Sequence, residues 1–196
     1  MNKKFAIGCS ITAVLVILIL IAVFFGVYIN IRNNMVAKDV KVDESWAQVQ
    51  NVYQRRLDLI PNIAEAAKAY LKLEKDIFEA IAAARSGIQS AQTPSELEGA
   101  ASEVNSIIRD IKVVVEDTPE LKASETIRDL MNQLEGTENR ITVERQRFNE
   151  SVRDYNGYIK SWPNSIIAGR MGFEEKEFFA AEEGAESAPE IDMSIE

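Results

Sequence analysis

An uncharged run near the N-terminus constrains this chain more than any other feature. Residues 5–31 contain no charged side chain over 27 positions. As a helix rising about 1.5 Å per residue, the run is about 40 Å long, which exceeds the roughly 30 Å hydrocarbon core of a bilayer. A helix satisfies its backbone hydrogen bonds internally and can therefore be buried in lipid. The run predicts a transmembrane anchor.

A cleaved signal peptide is the alternative interpretation, because Lys3 and Lys4 make the N-terminus basic. The apolar core of a signal peptide is typically about 7–15 residues long, however, and no small-residue cleavage site follows this run cleanly. Arg32, Lys38 and Lys41 lie on its other side, so the positive-inside rule is nearly balanced. The short basic N-terminus favours a cytoplasmic N-terminus in the cell (inner) membrane, with the rest of the chain outside the cytoplasm.

The charge distribution and the missing residue types exclude several classes of function. The formal net charge is −9, and from Met171 onward nine acidic residues accompany a single lysine. Such a chain is a poor nucleic-acid binder, since contact with phosphates requires clustered Lys and Arg. There is no histidine, and the one cysteine, Cys9, lies in the uncharged run. Disulfides, Cys/His zinc sites and a histidine general base are therefore excluded from the soluble part. We predict no enzymatic activity, no metal and no cofactor.

Apolar residues recurring at three- and four-residue spacing predict four helices after the anchor. Their expected ranges are 33–59, 62–89, 94–115 and 119–162. Pro61 has no backbone donor and disfavours a helical residue before it, so the first helix ends or kinks there. Thr93 is expected to cap the third helix with Pro94 in its first turn, and Thr118-Pro119 to open the fourth in the same way.

Four apolar stripes joined by short turns must bury against one another. The predicted fold is all-α, an N-terminal transmembrane helix followed by an antiparallel up-and-down four-helix bundle with an irregular acidic C-terminal tail. The expected domains are a short basic N-terminus (1–4), the transmembrane anchor (5–31), the four-helix bundle (32–162), and a capping segment with the acidic tail (163–196).

Several motifs resemble the LemA family. They are WAQVQ at 46–50, YQRRLDLIPN at 53–62, YN at 155–156, WPN at 162–164, FF at 178–179, and GA with AP at 184–189. The resemblance covers nearly the whole chain and implies a bacterial single-pass membrane protein with an antiparallel helical bundle. It implies no agreed biochemical activity. Where relatives often have His-Glu, this chain has Leu73-Glu74, so any histidine–carboxylate chemistry of such relatives is absent here.

Charged residues interrupt the apolar stripes at four places. These candidates for buried polar pairs are Arg56, Glu74, Glu138 and Arg145. Polar groups on an apolar stripe are most often ion pairs that fix helix register. The alternative is an anion site, because Arg side chains bind carboxylates and phosphates in pairs. We favour internal pairing.

Apolar residues also follow the last predicted helix. The candidate partner-contact residues are Trp162, Ile166, Ile167, Met171, Phe173, Phe178 and Phe179. In an up-and-down bundle this segment returns toward the membrane, where it could cap the bundle, touch lipid or contact a partner. The neighbouring glutamates disfavour deep insertion into lipid.

These observations favour a membrane-anchored helical-bundle scaffold or adaptor of the bacterial cell envelope. Its expected partners are the lipid bilayer, through residues 5–31, other membrane or envelope proteins, and a second copy of the chain. The alternative is a membrane-bound sensor that binds a small molecule or peptide within the bundle. An enzyme using only Glu, Arg, Tyr and Asn is a distant third hypothesis.

Overall fold

The computed structural model describes residues 3–66 and 75–180, and every regular element in these ranges is an α-helix. The helices are α1 (Lys3–Ala66), α2 (Lys75–Ser90), α3 (Pro94–Asp117), α4 (Pro119–Ala123), α5 (Glu125–Lys160) and α6 (Asn164–Met171). The all-α class is thus confirmed for the described residues. The up-and-down four-helix bundle stays a prediction.

Helix α1 begins at Lys3, contains the whole uncharged run 5–31 and continues without interruption as far as Ala66. Among the described helices it alone is long and apolar enough to cross a membrane. The apolar side chains between Val14 and Ile29 are largely exposed, and Phe24 is 68% exposed. In the hydrocarbon core of a bilayer these side chains would be covered by lipid and would not be exposed to water.

The expected range of the first soluble helix was too short, because α1 passes through Pro61 and ends at Ala66; of the two alternatives at Pro61, an end of the helix is thereby excluded. Proline removes one helical hydrogen bond, at a cost of about 3 kcal/mol. Ile60 and Ile63 are both fully buried on either side of it, and this burial offsets the loss. Residues 67–74, which belong to the second predicted helix, lie outside the described residues.

The two predicted helix starts behave differently. Thr93 caps α3 as expected, since its Oγ1 accepts a hydrogen bond from the backbone N of Glu96 at 3.3 Å. Thr118 makes no such side-chain bond, and α4 lasts only five residues. A new helix, α5, begins directly after Ser124, whose Oγ accepts a hydrogen bond from the backbone N of Ile127 at 3.5 Å. The single predicted helix 119–162 is therefore two helices.

The chain divides into two compact units. The first contains the residues up to Val49 together with Gln146–Lys176. In it, the side chains of Ser45 and Ser151 share a hydrogen bond of 2.7 Å, and Lys38 lies 5.5 Å from the ring centre of Tyr158. Residue numbers rise on α5 as they fall on α1, so the two helical segments are antiparallel.

The second unit contains Gln50–Arg145 and the residues from Glu177 onward. Its buried side chains come from α1, α2, α3, α4 and α5; they include Leu57, Ile60, Ile88, Leu97, Ile108, Ile111, Leu121, Ile127 and Leu134. Gln50 of α1 reaches the C-terminal end of α2 and donates to the carbonyls of Ile88 at 3.1 Å and Ala91 at 3.2 Å. These carbonyls have no helical donor of their own, so Gln50 caps α2.

Helices α2 and α3 approach closely at Gly87, which gives a testable prediction. A Cβ built at Gly87 would lie 2.8 Å from the Cβ of Ala100, whereas one at Gly99 would meet nothing within 4 Å. Gly87→Ala should therefore lower the free energy of unfolding by about 1–2 kcal/mol through overpacking. Gly99→Ala, the matched control within α3, should raise it by about 0.5–1 kcal/mol. Urea unfolding followed by circular dichroism tests both; equal shifts in the midpoint would contradict a packing role for Gly87.

Candidate functional site

The predicted contact residues of the first unit differ in exposure. Trp162 is 82% exposed and Ile166 is 54% exposed. Ile167, Met171 and Phe173 are half-buried. Trp162 and Ile166 thus form the exposed apolar surface at the end of the first unit.

The two remaining predicted contact residues, Phe178 and Phe179, belong to the second unit. Phe178 is 43% exposed, whereas Phe179 is only 3% exposed. The Phe179 ring lies under the guanidinium of Arg145, at 4.8 Å from ring centre to Cζ. Phe179 therefore packs within the chain and is not available to a partner.

A short extended segment, Phe173–Lys176, follows α6, and we call it the strap. Helix α6 ends at Gly172, whose φ of 73° favours glycine and turns the chain into this segment. Asn156 makes two hydrogen bonds to the backbone of Lys176, each 2.9 Å long: its Nδ2 donates to the carbonyl, and its Oδ1 accepts from the amide N. The hydroxyl of Tyr155 donates to the carbonyl of Glu174 at 3.0 Å. The Tyr-Asn motif therefore holds the strap on α5.

Charges hold the same strap to α1. The Lys176 Nζ lies 2.9 Å from a carboxylate oxygen of Asp39 and 3.5 Å from one of Asp43. Burial lowers the pKa of Lys176, but the hydrogen bond and the charge of Asp39, together with Asp43, outweigh it, and the pKa is raised. The pKa of Tyr155 is also raised, chiefly by burial and then by the charge of Asp39.

These pKa shifts predict release of the strap in alkali. Since both folded-state values lie above the unfolded ones, of about 10.4 for Lys and 10 for Tyr, the linked stability is complete at neutral pH. It is lost as the pH rises through the folded-state values. A fluorophore on Glu175→Cys, in a Cys9→Ser background, should keep its anisotropy up to the ordinary lysine pKa of about 10.4 and lose it at higher pH. Lys176→Arg, which stays charged to higher pH, should move this midpoint upward; an unchanged midpoint would contradict the role of Lys176.

The second unit contains a polar cleft of about 470 Å³. Side chains from α1, α3 and α5 form its wall: Tyr53, Arg56, Asn105, Ile108, Arg109, Lys112, Glu138, Asn139, Ile141, Thr142 and Arg145. Four of these are cationic and one is a carboxylate. The cleft is therefore a basic surface on an acidic chain.

The structure brings together two of the predicted buried polar residues in the cleft. Arg56 Nη2 donates to Glu138 Oε1 at 2.7 Å, and Arg56 Nη1 donates to Asn105 Oδ1 at 2.8 Å. The Arg56 side chain is 12% exposed and that of Glu138 is 36% exposed. Lys112 lies 3.5 Å from the other carboxylate oxygen of Glu138. Glu74, the third predicted partner, lies outside the described residues.

Arg145, the fourth predicted polar residue, has a different set of contacts. Its Nη2 donates to Glu98 Oε1 at 2.5 Å and to the carbonyl of Ala180 at 3.0 Å. Burial raises the pKa of the neighbouring Tyr53 phenol, while the charge of Arg145 opposes that rise. Arg145 thus joins α5 to α3 and to the residues after the strap, all within the second unit.

Sequence reasoning missed two cations of the cleft, Arg109 and Lys112, and the carboxylate partner of Arg145, Glu98. All three lie on α3, outside the apolar stripe of that helix. The spacing showed that Arg56 and Arg145 needed acceptors. It could not show which turn of another helix would supply them.

The chemistry available in the cleft is that of anion binding. Arg and Lys donors recognise carboxylates and phosphates. Among the residues that the structure describes, no group of His, Cys, Asp or Glu is arranged to hold a metal ion. Arg56 also carries a buried Nε with no hydrogen-bond acceptor among those residues.

Comparison with known proteins gives a family and several relatives. Residues 45–193, about three quarters of the chain, match the LemA family. The magnetosome protein MamQ of Magnetospirillum gryphiswaldense is 33% identical over 69 residues, which are 35% of this chain and 25% of that protein. Magnetosome proteins MamQ 1 and MamQ 2 of Paramagnetospirillum magneticum are each 32% identical over 69 residues, with the same coverage of both chains. The matched segment spans about a quarter of the length of these curated relatives.

Proposed function

Because this chain belongs to the LemA family and begins with a helix long and apolar enough to cross a membrane, we propose that it is a scaffold or adaptor of the bacterial cell envelope. In this proposal it has no chemistry of its own. It is anchored in the cell membrane and contacts a second protein through Trp162 and Ile166. The exposure of Trp162 is the observation that carries the proposal.

The register of α1 and α5 in the first unit supports a contact close to the membrane. Lys38 lies opposite Tyr158 and Ser45 lies opposite Ser151, so the two antiparallel helices keep one register over seven residues. Extending this register by two residues sets Lys160, the last residue of α5, level with about residue 36 of α1, and Trp162 follows two residues later. The uncharged run ends at Ile31. The exposed surface therefore belongs at the membrane end of the soluble part.

Exposed tryptophan favours a protein partner at this level. Trp is among the residue types that contribute most to protein interfaces, and Ile166 of α6 is a second exposed apolar side chain of the same unit. Glu174 and Glu175 follow within the same unit and are exposed, which disfavours deep insertion into lipid. Anchoring confines the search for a partner to the membrane plane and so raises its effective concentration.

In-cell photocrosslinking tests this proposal. A photoreactive amino acid at position 162 or 166 should give adducts with one or a few membrane proteins, and the pair Trp162→Ala and Ile166→Ala should abolish the native complex while leaving helicity unchanged. Val113 of α3, which is 57% exposed, is the matched control position and should give no such adducts. Two results would overturn the adaptor role. One is that positions 162 and 166 give adducts with lipid and none with protein; the other is that their protein adducts equal those at position 113.

A second candidate function is a sensor, and the basic cleft of the second unit favours it. An anion bound among Arg56, Arg109 and Lys112 would compensate their charge and stabilise the folded state. Inorganic phosphate or succinate should then raise the thermal midpoint of the full-length protein. The double variant Arg109→Glu with Lys112→Glu should lose this rise; an equal rise in both proteins would exclude the cleft as the binding site.

A further inference from the structure

The basic cleft has more positive charge than its own carboxylates neutralise. Glu138 is already shared by Arg56 at 2.7 Å and Lys112 at 3.5 Å. Arg109 Nη2 donates to the uncharged Oγ of Ser106 at 3.3 Å. The cleft therefore has cationic donors whose charge is not neutralised at contact distance by the described residues, and a carboxylate is a chemical match for them.

The chain passes the edge of this cleft immediately before its acidic C-terminal sequence. Arg145 is one of the lining residues. Its guanidinium Cζ lies 4.8 Å from the ring centre of Phe179, and its Nη2 donates to the carbonyl of Ala180 at 3.0 Å. Residues 181–196 follow directly. They contain six acidic residues and no basic one, namely Glu182, Glu183, Glu186, Glu190, Asp192 and Glu196.

We propose that this acidic tail is the occupant of the cleft, with carboxylates from Glu182 to Glu186 binding Arg109 and Lys112 of the same chain. The inference is independent of the adaptor role at Trp162. It assigns the cleft as a site for acidic peptide and the tail as its intramolecular ligand.

The distances allow this binding without strain. Six extended residues reach about 20 Å. Along α5, the cleft extends from Arg145 to Glu138, seven residues or about 10 Å of helix. A segment tethered so close has an effective concentration of about 1 mM or more, so its carboxylates together need only a dissociation constant of about 1 mM to keep the cleft occupied. Because the pairs are partly exposed, high salt weakens them.

Cysteine crosslinking in the full-length protein tests the proposal. In a Cys9→Ser background, Ser187→Cys on the tail and Thr142→Cys in the cleft wall should form an intramolecular disulfide. We expect its rate to fall about tenfold when Arg109→Glu and Lys112→Glu remove the cationic donors. The matched control is Lys122→Glu with Arg128→Glu, which reverses two exposed charges of the same unit outside the cleft. This control should leave the rate unchanged.

Two results would overturn the proposal. One is a disulfide rate that responds equally to the cleft variant and to its control. The other is a disulfide that forms only between two chains, because the occupant would then be the tail of a second copy.

Succinate or inorganic phosphate at millimolar concentration should slow the intramolecular disulfide by competing for the same donors; acceleration would contradict a shared site. Glu182→Gln, Glu183→Gln and Glu186→Gln together should slow it as much as the cleft variant does.

Discussion

Glu138→Leu should lower the free energy of unfolding by about 3 kcal/mol, because it leaves the Arg56 guanidinium without its charged partner. The Arg56 side chain is only 12% exposed, and Asn105 would be its remaining hydrogen-bond acceptor among the described residues. Glu138 itself is 36% exposed, which puts the cost at the lower end of that for a buried pair. Urea unfolding followed by far-UV circular dichroism measures this change in the full-length protein.

Variants of the partner residue separate a buried ion pair from a general loss of packing. Arg56→Met should cost only about 1 kcal/mol, because Glu138 is more exposed and keeps Lys112 at 3.5 Å. The protein should remain folded. The double variant Arg56→Met with Glu138→Leu should recover most of the loss seen in Glu138→Leu alone.

The matched control for Glu138→Leu is Glu135→Leu, at an exposed position on the same helix. It should change the free energy of unfolding by less than about 0.5 kcal/mol. If Glu138→Leu were no worse than Glu135→Leu, or if the double variant were as unstable as the sum of the single ones, the pair would have no structural role.

Asn156→Leu should release the strap from α5. Asn156 is 6% exposed and makes two hydrogen bonds of 2.9 Å to the backbone of Lys176. Leucine fills a similar volume but leaves the Lys176 N–H and C=O without these partners, at about 1 kcal/mol or more for each. The Lys176 amide should therefore exchange its hydrogen about 30-fold faster, since 1.4 kcal/mol corresponds to a factor of ten.

Hydrogen exchange resolved by mass spectrometry measures this release. Asp154→Leu, an exposed position on the same helix, is the control and should leave exchange at Lys176 unchanged. Unfolding of the whole first unit would raise exchange along α5 as well, whereas release of the strap alone would not. Equal exchange at Lys176 in Asn156→Leu and the parent protein would show that Asn156 does not hold the strap.

Several features of the fold could be predicted from local sequence. The uncharged run gave the long apolar part of α1, and the three- and four-residue spacing gave the helical class. Thr93 and Pro94 fixed the start of α3 because a cap acts within one turn of its own residue. Each of these signals depends on neighbours in the chain.

Pro61 and Thr118 show where local signals fail. Proline disfavours a helix locally, but the burial of Ile60 and Ile63 keeps α1 intact as far as Ala66. Thr118-Pro119 has the residues of a helix start, yet α4 ends after five residues and α5 begins at Glu125. At Pro61, the burial of Ile60 and Ile63 in the folded chain decided the outcome, and local propensity did not.

The residues alone were enough to predict that the chain is helical, that its first segment suits a membrane, and that Arg56, Glu138 and Arg145 interrupt apolar stripes. The pairing of Arg56 with Glu138 and of Arg145 with Glu98, and the four cations of one cleft, became visible in the folded chain. They were not predictable because periodicity fixes only which face of a helix is apolar. The axial shift and rotation of one helix against another, which set every charge pair, come from the packing of all the helices together.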